Sequence, residues 1–151
     1  MYKDLFSVDL INLQINAKSI EKLFEIVGNE LYQKGYVQRS YTNALLEREL
    51  EFPTGLITKF VNIALPHTDP EHIKKPFVYV VKNEAGLDMR QMGDNEIMSV
   101  KYLFFLGITD PTSQVGLLAK FMELFSDERF VSLILEEEKE KEIIDLFVNN
   151  I

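Results

Sequence analysis

The sequence predicts an α/β (α+β) domain in which a mixed β-sheet is covered by helices on both faces. Two observations carry this. Short alternating or wholly apolar runs of strand length are interspersed with helix-period stretches along the whole chain. The strongest run, Val100–Thr109 (V-K-Y-L-F-F-L-G-I-T), is apolar at consecutive positions, as in a strand buried on both faces. With 151 residues, one domain covering 1–151 is expected.

The elements follow in order. Ile11, Leu13 and Ile15 alternate with Asn12, Gln14 and Asn16, the period of a first strand. Asn16 is a candidate cap for a helix over 17–34, with Ile20, Leu23, Phe24, Val27 and Leu31 on one face. Gly35 stops it. Ser40 is the expected cap of a second helix, which Pro53 ends. The stretch F-P-T-G-L (52–56) reads as a turn with Thr54 at its tip.

Val61, Ile63 and Leu65 read as a short strand ended by Pro66, which has no N–H for the ladder. His67 follows where the chain leaves the sheet. Phe77–Lys82 reads as a buried strand, Asn83–Gly86 as a turn, and Leu87–Met92 as a hairpin partner. Gly93–Asn95 is another turn. After Val100–Thr109, Asp110-Pro111 is an N-cap followed by proline at N1. The next helix carries Val115, Leu118, Met122 and Phe125 as one stripe, with Leu117, Phe121 and Leu124 beside it. Gln114 falls in its first turn. Ser126 is the expected cap of a short helix with Phe130, Val131, Ile134 and Leu135 inward. E-E-E-K-E-K-E (136–142) reads as a solvated helical face in which Glu137 and Lys141 pair. Ile143, Ile144, Phe147 and Val148 dock the last helix.

Composition excludes some classes of function. The net charge is −8, which repels nucleic acid, and no basic patch with interleaved aromatics is visible. There is no cysteine, hence no disulfide or thiolate site, as suits a reducing cytoplasm. No signal peptide is read in M-Y-K-D-L-F-S-V-D, and no apolar run approaches the ~18 residues of a membrane span, so no direct membrane insertion is expected.

The chemistry centres on V-N-I-A-L-P-H-T-D-P-E-H (61–72). The chain has two histidines, His67 and His72. Imidazole is the side chain whose charge ordinarily changes near neutral pH. His67, at a strand end, is the first candidate for a nitrogen nucleophile; a surface or capping histidine is the plainer alternative. His72 reads as an exposed loop residue. His67, Asp69, Glu71 and His72 also form a metal-ligand-like cluster. Pro70 stands between the two histidines, and their spacing does not place both on one helical face as H-E-x-x-H does.

Three pieces belong together: Arg48-Glu49, Phe52-Pro53-Thr54-Gly55-Leu56, and Leu65-Pro66-His67-Thr68. Their order and spacing resemble the IIA components of the sugar phosphotransferase system, in the fructose/mannitol class. The resemblance implies that fold and a phosphoryl carrier without metal or cofactor. His67 would accept phosphate from the phosphocarrier HPr and pass it to a cysteine of a IIB subunit, which serves a membrane IIC component. Arg48 would be the family's arginine beside the active histidine. Glu49, Thr54, Thr68 and Gln114 would contact the phosphate or a partner, and Leu56 and Leu65 would form part of an apolar collar.

Physics agrees with the resemblance. Phosphoryl transfer spreads charge over three oxygens, so positioned donors do most of the catalysis, and a guanidinium fits those oxygens. The imidazole needs a hydrogen bond to orient its second nitrogen. Mannitol-like members carry a second histidine where this chain has Gln114, and E-F-P-T-G-L with that glutamine looks most like the galactitol-type branch. A regulatory IIA-like domain, switched by the same histidine, is the alternative.

Overall fold

The computed structural model describes residues 2–151. Five strands form one sheet: β1 (Ile11–Ile15), β2 (Gly55–Ile57), β3 (Asn62–Ala64), β4 (Phe77–Arg90) and β5 (Ile97–Gly107). Five α-helices accompany them: α1 (Ile20–Gln33), α2 (Tyr41–Glu51), α3 (Pro111–Leu124), α4 (Glu128–Glu136) and α5 (Glu140–Asn150). The strand order is β1-β4-β5-β3-β2. β1 runs parallel to β4, and β3 parallel to β5; β4–β5 and β2–β3 are antiparallel.

Alternation along the central strands builds two cores. Val78, Val80, Tyr102, Phe104 and Leu106 face one side and pack with Leu117, Phe121, Ile134 and Phe147 of α3, α4 and α5. Phe77, Tyr79, Val81, Leu103 and Phe105 face the other and pack with Leu23, Phe24, Val27 and Leu45 of α1 and α2. This is the period-2 rule of a sheet covered twice. The expectation of a mixed sheet with helices on both faces holds.

Several local expectations change. The 83–86 stretch is not a hairpin turn. It is an irregularity inside β4, where Lys82 pairs with Tyr102 but Leu87 with Val100, so five steps on one strand match two on the other. Gly86 takes a positive φ of 74° there, which gave the sequence its turn-like look. The F-P-T-G-L turn contains the start of β2, a three-residue strand too short for any period to show.

Caps differ as well. Ser19, not Asn16, caps α1 by accepting Lys22 N–H. Ser40 has helical backbone angles and makes no cap bond. Asp127, not Ser126, caps α4; the Ser126 hydroxyl donates to Met122. Asp110 caps α3 as expected. Val115 and Met122 lie on the exposed side of α3, whose apolar stripe is tilted toward Leu117, Phe121 and Leu124, and Leu135 is exposed on α4, which turns Phe130, Val131 and Ile134 inward. The 136–142 stretch is not one helical face: α4 ends at Glu136, residues 137–139 are a break, and α5 starts at Glu140. The Glu137 carboxylate accepts backbone N–H groups there, and Lys141 pairs with Asp145 at 2.8 Å.

Candidate functional site

β3 delivers His67 to one end of the sheet. Beyond Ala64 the chain stays beside β5: Pro66 accepts Leu106 N–H at 3.0 Å, and His67 forms a parallel bridge with Leu106. Proline removes one donor, yet its carbonyl still ties the segment down, so the following residue has a fixed root. His67 itself is 8% exposed.

The ring orientation follows from one contact. His67 Nδ1 lies 2.8 Å from the Leu65 carbonyl oxygen. A carbonyl can only accept, so Nδ1 carries the proton and Nε2 the lone pair. Burial pushes the imidazole pKa below its ordinary value. The Leu65 carbonyl opposes this, the Arg48 charge adds to it, and Asp69 opposes it. His67 is therefore an uncharged ring near neutral pH, with Nε2 as its basic nitrogen.

Arg48 sits in the last turn of α2, where a cation complements the helix dipole. Its Nη1 donates to Asp69 Oδ1 at 3.2 Å, and its guanidinium lies 5.3 Å from the Phe52 ring centroid. The charges of both Arg48 and Asp69 reach the His67 ring. A cleft of about 250 Å³ opens beside Arg48, lined in part by Arg48, Phe52, Thr68, Asp69 and His72; His67, next in the chain to Thr68, is not itself on the lining. A guanidinium that is one-third exposed and held by one exposed carboxylate is free to exchange that partner for a stronger anion.

The other expected site residues are placed as follows. Thr68 borders the cleft, is buried, and turns its hydroxyl toward the Asp69 carbonyl at 3.0 Å. Gln114 is half-buried in the first turn of α3, which begins soon after β5 ends beyond the Leu106 bridge. Among the described residues no side-chain hydrogen bond joins it to His67 or Arg48. Glu49 and Thr54 are paired with each other: Thr54 N–H donates to Oε2 at 2.9 Å and its hydroxyl to Oε1 at 2.7 Å. Burial pushes the Glu49 pKa up to about 7, against the lowering effect of those two bonds.

Two expectations are corrected. Leu65 is fully buried in the core rather than part of a collar; the apolar group at the cleft is Phe52, 55% exposed. His72 is not a free loop residue. It is half-buried in the one-turn 3-10 helix Pro70–His72, with Nδ1 2.8 Å from Ser40 Oγ. Of the four donors of the metal-ligand-like cluster, His67 is engaged with Leu65, Asp69 with Arg48, and His72 with Ser40, while Glu71 lies 3.8 Å from His72 Nε2.

Comparison with known proteins decides the family. The model of the phosphoenolpyruvate-dependent sugar phosphotransferase system, EIIA 2, matches residues 4–150. The chain belongs to this family. IIA components of this system are phosphotransferases that act through a phosphohistidine intermediate. The chain is 33% identical over 92 residues to the galactitol-specific EIIA component of Escherichia coli strain K12. That match covers 61% of this chain and 61% of the relative's length. It is 26% identical over 145 residues to the mannitol-specific IIA component of Halalkalibacterium halodurans, covering 95% of this chain and 94% of that one. In fold it is similar to the IIA chain solved as a complex of the mannitol enzyme IIA with phosphorylated enzyme IIB from Escherichia coli. There the TM-score is 0.75 at 20% identity, over 95% of this chain and 96% of that one.

Sequence reasoning missed two members of the site. Asp69, by sequence a metal-ligand candidate, holds Arg48 from 21 residues away. The Leu65 carbonyl orients the ring, and a backbone group leaves no mark in the sequence. Only the run Leu65-Pro66-His67 hinted at it, since proline limits how the chain turns back on itself.

Proposed function

We propose that this chain is a cytoplasmic phosphoryl carrier in which His67 takes phosphate from phospho-HPr and gives it to a cysteine of a IIB subunit. The observation that carries this reading is the 2.8 Å contact of Nδ1 with the Leu65 carbonyl, which leaves an uncharged Nε2 as nucleophile. The Nε2 lone pair forms the new N–P bond as the donor's bond to phosphorus breaks, and that electron pair leaves with HPr. In the second step the thiolate of IIB forms the S–P bond, and the pair returns to Nε2. The protonated Nδ1 stays bonded to Leu65 throughout, so the ring needs no second base.

Arg48 supports the step by exchanging Asp69 for the phosphoryl oxygens. This is electrostatic stabilisation aimed where charge develops. Thr68 and Gln114 are assigned to the phosphate or the docking partner. The IIA–IIB complex of similar fold supports a IIB partner; HPr upstream and IIC downstream complete the assignment. The galactitol-specific relative, the E-F-P-T-G-L run and Gln114 favour a polyol such as galactitol as the transported compound. The two curated relatives named above are sugar-specific components, which favours transport over a purely regulatory role.

The test is incubation with phosphoenolpyruvate, enzyme I and HPr, followed by assay for an acid-labile, base-stable adduct. His67→Ala abolishes labelling and His72→Ala keeps most of it; equal labelling of the two variants refutes the assignment. Arg48→Ala folds and loses about 10²–10³-fold in transfer rate, the loss typical of one oriented transition-state donor. Gln114→Ala has a milder effect.

A further inference from the structure

Glu49 is a buried carboxyl group, 6% exposed, whose oxygens face Thr54 and which does not line the Arg48–Asp69 cleft. A carboxyl held away from water is unfavourable unless its oxygens are satisfied. Both oxygens are satisfied by a single residue, Thr54, which is itself 2% exposed. The Thr54 carbonyl in turn accepts Leu65 N–H at 3.3 Å. The Leu65 carbonyl accepts the His67 Nδ1–H at 2.8 Å. An unbroken line of hydrogen bonds therefore runs from α2 through the strand pair to the imidazole. Gly55, next to Thr54, opens β2 opposite Ala64 of β3, so Thr54 also sets the register of the pair at the end nearest His67.

We propose that Glu49 is a positioning residue for His67: it grips the backbone N–H and hydroxyl of Thr54 and, through Thr54 and Leu65, holds the ring in the tautomer that leaves Nε2 unprotonated. Glu49 touches neither phosphate nor partner. Its contribution is the precision with which Nε2 is aimed. Glutamine can replace it. Its carbonyl accepts the Thr54 N–H, and its amide donates to the Thr54 hydroxyl, which rotates to accept. Alanine cannot do either.

The experiment reads the His67 ring nitrogens directly, by ¹⁵N NMR of histidine-labelled protein at about pH 8, where a free imidazole is uncharged. Phosphoryl transfer from phospho-HPr is measured beside it. The wild type and Glu49→Gln give one protonated Nδ1 and one unprotonated Nε2 signal. Glu49→Ala moves the two signals toward each other as the tautomers mix. It also lowers kcat about 10- to 100-fold, with KM for phospho-HPr changed less than about twofold. Unmoved signals and wild-type kcat in Glu49→Ala overturn the proposal. So does failure of Glu49→Gln to restore both, because a carboxylate-specific role would then be required. Where Glu49→Ala does not fold, Thr54→Val is read in the same way, with Thr54→Ser as its rescue. The kinetic arm rests on the reading of His67 as phosphoryl acceptor, and the nitrogen signals do not. A wild-type chain that takes no phosphate refutes that reading, while the signals still decide the role of Glu49.

Discussion

At the scale of single residues, the site depends on keeping one imidazole uncharged beside a fixed cation. Burial and Arg48 both disfavour the imidazolium, and the Leu65 carbonyl and Asp69 only partly offset them. The expected outcome is that His67 titrates below 6.5, the ordinary value for histidine, in an NMR pH titration of the two imidazoles. Phosphoryl acceptance then stays flat as pH falls through that value and declines only lower, when Nε2 takes a proton. Asp69 has the complementary task of holding Arg48 before phosphate arrives. Its side chain is 65% exposed, so Asp69→Asn changes stability by less than about 1 kcal/mol in urea denaturation. The same substitution turns the ion pair into a weaker neutral hydrogen bond that phosphate displaces more easily, so transfer from phospho-HPr becomes no slower.

At the scale of elements, the irregular part of β4 lies away from the His67 end of the sheet, opposite Val100–Tyr102 rather than Leu106, and braces the start of α1. Asn83 is fully buried at that irregularity. Its Oδ1 accepts Ala17 N–H at 2.7 Å and its Nδ2 donates to the Ala17 carbonyl at 2.9 Å. One amide thus satisfies both backbone groups of the residue that leads from β1 into α1. Asn83→Ala leaves both without partners and is expected to cost about 2–4 kcal/mol, read as a lower urea midpoint at unchanged m-value. The α3 start is more forgiving: Asp110→Ala removes an exposed cap, at about 1 kcal/mol. These elements also show where sequence patterns stop. Long apolar runs such as Phe77–Lys82 and Val100–Thr109 announce strands plainly, because burial on both faces leaves no room for polar residues. β2 is three residues long and Gly86 sits in a strand at positive φ, and neither has a period to read.

At the scale of the whole molecule, one buried carboxyl ties stability to pH. Glu49 titrates at about 7 in the folded chain against 4.5 for a free carboxyl. Its folded pKa is raised, so below 4.5 it is neutral in both states and its contribution is fully present. As pH rises from 4.5 to about 7, the unfolded chain ionises first, and the contribution is lost. The loss amounts to about 3 kcal/mol, and it stays lost above pH 7. His67 acts in the opposite sense, since its lowered pKa takes stability away as pH falls below 6.5. Comparing Glu49→Gln with wild type isolates the carboxyl. The two are alike near pH 4.5, and the variant is more stable by up to about 3 kcal/mol at pH 8.

The sequence by itself determined the sheet-and-helix architecture, the core faces of α1 and the central strands, and the family through Arg48-Glu49, Pro53-Thr54 and Pro66-His67. All of these are written in local patterns, since periodicity, breakers and short motifs act over a few residues. Tertiary structure alone decided that Asp69 holds Arg48, that Glu49 turns inward to Thr54, and that a backbone oxygen of Leu65 selects the tautomer of His67. Each of those contacts joins groups that the strand order β5-β3-β2 and the end of α2 bring to one place. Hydrogen-bond direction depends on where atoms lie in space, which no local pattern of side-chain types specifies.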